Sequence, residues 1–109
     1  MLNYRIIQAP TENTLNLLKR KMNTESRKLL ELESYYGAVA IIQSSIPNLF
    51  YYADVASKEA DVITIEITGN CPQSLSNMSI WGNIEAVQSA MNAVIKHYNN
   101  KKEKYGLSI

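Results

Sequence analysis

Val62-Ile63-Thr64-Ile65-Glu66-Ile67, followed by Gly69-Asn70-Cys71-Pro72-Gln73 and then by Met78-Ser79-Ile80-Trp81, is the stretch that decides the fold. The first run is β-branched with partial alternation, which suits a half-buried strand. The last run is a second strand-like segment that returns directly from the first. Two strands joined without a crossover pair antiparallel. Working outward, Gly82-Asn83 ends the hairpin and Asn83 can cap a helix. Ile84, Val87, Met91, Val94, Ile95 and Tyr98 then mark one amphipathic face.

Upstream, Ser44-Ser45 and Pro47 read as a helix start, because a missing N–H is harmless in the first turn. That helix runs to about Lys58, with Leu49, Phe50, Ala53, Ala56 and Ala60 as its buried side. Tyr36 to Ile42 is an apolar run of strand length, and Tyr4-Arg5-Ile6-Ile7 is a short strand stopped by Pro10. Thr11 can cap a helix from Glu12 to Met22, in which Leu15, Leu18 and Met22 share a stripe that Leu17 widens. Ser26 to Leu32 reads as a further short helical turn. The order is strand, helix, short helix, strand, helix, strand, strand, helix. It implies an α+β domain: a four-stranded antiparallel sheet with helices on one face.

A chain of 109 residues makes one domain, spanning residues 4–98 with a polar tail at 99–109. Its 46% hydrophobic and 19% charged content is that of a globular protein. Eleven basic against ten acidic residues leave a net charge of +1, without the basic surplus expected of a nucleic-acid binder. Lys19-Arg20-Lys21 reads as a solvated helix face. No apolar run is long enough to cross a membrane, and the first residues lack the layout of a signal peptide. The single cysteine excludes an internal disulfide and implies a cytoplasmic setting.

That cysteine carries the chemistry. Cys followed by Pro recurs where thiolates hold iron–sulfur clusters; Pro fixes φ and removes a competing backbone donor. One cysteine cannot hold a cluster, so if this thiol binds metal, several copies must bring their loops to one point. Unit charges ~4 Å apart repel by about 4 kcal/mol at an effective dielectric near 20. A cationic metal core would relieve that repulsion and favour the thiolate form.

Several stretches resemble the bacterial microcompartment (BMC) shell-protein domain. Tyr52-Ala53-Asp54-Val55-Ala56-Ser57-Lys58-Glu59-Ala60-Asp61-Val62 is similar to the family's Ala-rich first helix and the lysine near its end. Ile80-Trp81-Gly82-Asn83-Ile84-Glu85-Ala86-Val87 is similar to its strand end and following helix. Arg5-Ile6-Ile7-Gln8-Ala9-Pro10 resembles the segment that usually closes the domain, here placed first, as in a circularly permuted version of this ferredoxin-like fold. The Gly-X-Cys-Pro-Gln pattern of residues 69–73 resembles the GrpU-type shell proteins of glycyl-radical propanediol microcompartments.

The resemblance implies a structural, non-enzymatic shell protein. It implies a cytoplasmic homohexamer tiling with other BMC shell proteins and sharing an iron–sulfur cluster, of the 4Fe–4S kind, in its central pore. Encapsulated redox enzymes are implied partners; nucleic acid and membrane are not. Cys71 corresponds to the cluster ligand, and Gly69, Asn70, Cys71, Pro72 and Gln73 to the pore loop. Lys58 corresponds to the shell-packing edge lysine. Where the family often carries an arginine between prolines, this chain has Ala9.

Other readings stay open beside these. A lone cysteine also fits as a small buried hydrophobe. Cys71 and His97 could form a thiol–imidazole pair if the loop folded back. The layout equally suits a small-ligand regulatory module, or a shell protein whose pore passes metabolites without a cluster. Tyr35-Tyr36, Tyr51-Tyr52 and Trp81 read as packing residues, and His97 as a favourable partial cation in a last helical turn.

Overall fold

The computed structural model describes residues 2–31, 37–68 and 75–100. Strand β1 (Asn3–Gln8) leads to helices α1 (Glu12–Lys19) and α2 (Thr24–Glu31). Strand β2 (Ala38–Ser45) runs directly into α3 (Ile46–Glu59). Strands β3 (Ile63–Ile67) and β4 (Leu75–Gly82) follow, and α4 (Ile84–Asn99) is the last described helix. All strand pairings are antiparallel, in the order β1-β2-β4-β3.

Strands β2 and β4 sit in the middle, in register from Ala38↔Gly82 to Ser45↔Leu75. Side chains alternate across a strand, so each central strand feeds both faces. Ala38, Ala40 and Ile42 from β2, with Met78 and Ile80 from β4, meet Leu49, Tyr52, Val55 and Ala56 of α3 and Val87, Ala90, Met91 and Val94 of α4. Val39 and Trp81 point the other way, into a second cluster with Ile65, Ile67, Met22 and Leu30. The expectation of helices on one face holds for α3 and α4. The α1–α2 segment departs from it, because Met22 and Leu30 cover the opposite face.

Local signals place most of the element ends. The Thr11 hydroxyl accepts from the Thr14 N–H at 3.2 Å and the Asn83 side-chain Oδ1 from the Ala86 N–H at 2.8 Å, so both caps form as read. Ser45 occupies the cap of α3 without a side-chain bond, and Ser44 is buried in β2. Asn23 caps α2 through the Ser26 N–H at 2.8 Å.

Other details shift. α1 stops at Lys19, leaving Met22 buried in the turn beyond it, while Leu17 is exposed and does not widen the stripe. Phe50 is 75% exposed, not buried. The inward stripe of α3 is Leu49, Tyr52, Val55 and Ala56, and Phe50 stands about 100° off Leu49 on the helix. Gly37 has no room for a side chain: a Cβ there would lie 3.0 Å from the backbone of Asn83 and Ile84. Tyr35, Tyr36 and the tail from residue 101 lie outside the described residues.

The second cluster holds a buried polar chain. The Trp81 indole N–H donates to Ser79 Oγ at 2.7 Å, and Ser79 Oγ donates to the Ile65 carbonyl at 3.0 Å. Ser79 and Trp81 are fully buried. Among the described residues no buried side-chain polar atom lacks a partner. Ser79→Ala would strand the indole N–H in an apolar site. It should lower stability by about 1–3 kcal/mol, read as a fall in the urea midpoint with an unchanged slope.

Candidate functional site

The Gly69–Gln73 segment, with Cys71, lies outside the described residues; its two attachment points do not. Thr68, directly after β3, donates its backbone N–H to the Lys21 carbonyl in the α1–α2 turn at 2.8 Å. Leu75, the first residue of β4, is paired with Ser45, the last of β2. The connection carrying Cys71 therefore leaves and re-enters the sheet at one end, where α3 begins.

No group of three or more His, Cys, Asp or Glu side chains among the described residues could hold a metal ion. With one cysteine in the whole sequence, one copy offers a single thiolate. That donor set fits an iron–sulfur cluster only when several copies share it.

His97 lies in the last turn of α4. Its Nδ1 is 2.7 Å from the Tyr51 hydroxyl of α3, and the two rings meet edge-on at 5.7 Å. The imidazole thus ties α3 to α4. The sequence reading placed His97 correctly at a helix end but had no signal for Tyr51 as its partner, since the two are far apart in the chain. Its pairing with Cys71 falls on a residue outside the described ones.

Lys58 projects from the last turn of α3. Its side chain is more than half exposed, and its Nζ lies 2.7 Å from Asp54 Oδ2 one helical turn earlier. An acid preceding a base by four residues is the favourable order on a helix. The lysine sits at the far end of α3 from the Cys71 connection.

Sequence reasoning missed one feature: a groove of about 430 Å³ between α3 and β3, bordered by Ile46, Phe50 and Glu66. Counting Phe50 as core concealed it.

With this geometry in view, the relatives of the chain are informative. Residues 38–107 match the family model described as the BMC domain. The ligand-free structure of the GrpU microcompartment shell protein from Pectobacterium wasabiae is similar, with 40% identity and a TM-score of 0.70; the match covers 84% of this chain and 98% of that one. The ligand-free GrpU shell protein from Clostridiales bacterium 1_7_47FAA matches at 26% identity and a TM-score of 0.64, covering 89% and 92%. No curated protein matches the sequence.

The chain belongs to the BMC domain family. It is a structural microcompartment shell protein of the GrpU type rather than an enzyme. β1, α1 and α2 precede the matched residues, as expected of a permuted domain. Among the described residues no helix is long and apolar enough to cross a membrane.

The solvated Lys58–Asp54 pair adds little to the fold. Lys58→Ala should change unfolding stability by less than about 0.5 kcal/mol, measured by denaturant titration, so any loss of assembly in that variant would report on contacts between copies.

Proposed function

We propose that this protein forms a homohexameric ring whose Cys71 thiolates converge on the axis and hold an iron–sulfur cluster in the pore. The supporting observation is the position of the only cysteine, in a β3–β4 connection anchored at both ends, in a chain 40% identical to a GrpU shell protein. Cys71 would be the ligand; Gly69 would give the loop its conformational latitude. Asn70 and Gln73 would donate hydrogen bonds towards sulfur or line the pore, and Pro72 would remove a competing N–H. A bound cluster supplies one-electron chemistry.

Sixfold symmetry does not match a cube-shaped cluster, so three or four of the cysteines would ligate at a time and the rest would stand off. The ring would tile through Lys58 with other BMC shell proteins, as part of the shell of a cytoplasmic microcompartment. The cluster would pass electrons across that shell, or be delivered to redox enzymes inside, in the glycyl-radical propanediol setting. Holding a cluster in the pore opposes metabolite passage, so the two roles compete.

Anaerobic purification followed by iron and sulfide assay tests the reading. The expected product is a coloured ring containing both elements, with Cys71→Ser colourless and still a ring. A colourless wild type after iron–sulfide reconstitution would leave a metabolite-pore shell protein without a cluster. A ring that dissociates in Cys71→Ser would make the cysteine structural.

A further inference from the structure

The two outer edges of the sheet differ in a complementary way. At the β3 edge, α3 leaves the groove open, and Phe50 and Ile46 stand 75% and 51% exposed beside it. Glu66, an exposed carboxylate, lines the same groove. At the β1 edge, Tyr4 and Ile6 are 43% and 38% exposed, and Arg5 between them is exposed as well. Neither Arg5 nor Glu66 has an ion-pair partner among the described residues.

One molecule cannot bring these patches together. The order β1-β2-β4-β3 puts them at opposite ends of the sheet. Both apolar patches lie on the face that α3 and α4 cover: Ile6 is opposite Ala40 and Tyr4 opposite Ile42, both in the α3–α4 core, while Glu66 is opposite Met78 of that core. Copies set side by side with this face level would therefore meet patch to patch. Arg5 alternates to the other face at the strand's free edge, and its long stem lets the guanidinium follow that edge. Pairing like with like is disfavoured, since groove against groove would set Glu66 beside Glu66 and edge against edge would set Arg5 beside Arg5.

We infer that the β1 edge of one copy docks into the α3–β3 groove of the next, with Tyr4 and Ile6 against Ile46 and Phe50 and with Arg5 facing Glu66. Such a contact is head-to-tail, and a head-to-tail contact that closes makes a ring. The partner is a second copy of this chain, and the inference rests on the ring reading above.

Light scattering and sedimentation of the full-length chain over a dilution series test it. Arg5→Glu and Glu66→Arg should each raise the concentration at which the ring dissociates by about tenfold or more. The double exchange should restore it to near the wild-type value, and Phe50→Asp should weaken assembly as the single charge changes do. Circular dichroism should show each exposed-site variant folded. A wild-type ring indifferent to the single changes, or a double exchange that rescues nothing, would overturn the docking surface while leaving the ring. A wild type that stays monomeric at high concentration would remove the ring itself and the inference with it.

Discussion

The antiparallel pairing of β2 with β4 is the constraint on which the rest of the structure depends. It joins eight residue pairs, from Ala38↔Gly82 to Ser45↔Leu75, and both strands are buried on both faces. Small residues, Ala38 and Ala40, let α3 and α4 approach one side closely. Larger ones, Val39 and Trp81, fill the other side under the α1–α2 segment. Each fully buried aliphatic side chain contributes about 1.5–3 kcal/mol, so this pair of strands anchors two cores at once. The edge strands β1 and β3 attach to it, and among the described residues each is left with one free side.

That arrangement also positions the chemistry. β3 reaches the sheet only through β4, so the connection bearing Cys71 must leave from the end where β2 passes into α3. The bond from Thr68 to Lys21 adds a second hold from the opposite face. A single chain then carries one thiol and, among its described residues, no group of three or more His, Cys, Asp or Glu side chains that could hold a metal ion. Its function as a shell protein belongs to the assembly, and unlike edges at the two ends of one sheet are the kind of surface from which closed head-to-tail assemblies are built.

Several residues contribute by being held rather than by reacting. Tyr51 and His97 fasten α3 to α4 through one hydrogen bond and an edge-on ring contact. Ser79 satisfies the Trp81 indole in a site that excludes water. Ala9 adopts a left-handed φ of 47° and donates its N–H to the Gly37 carbonyl. The turn out of β1 is thereby tied to the residue that packs against the start of α4.

Signals that act within a few residues were legible in the sequence: the Thr11 and Asn83 caps, the direct return from β3 to β4, the apolar face of α4 and the singular cysteine. Each depends on neighbours along the chain, through backbone hydrogen bonds or side-chain periodicity. Which face α1 and α2 cover, the exposure of Phe50 and Leu17, the burial of Met22 and the Trp81–Ser79–Ile65 chain were decided only by the tertiary structure. They depend on what another part of the chain brings alongside: a helix stripe becomes core only where a sheet lies beneath it, and α3 overhangs β3 just far enough to leave one aromatic ring in water.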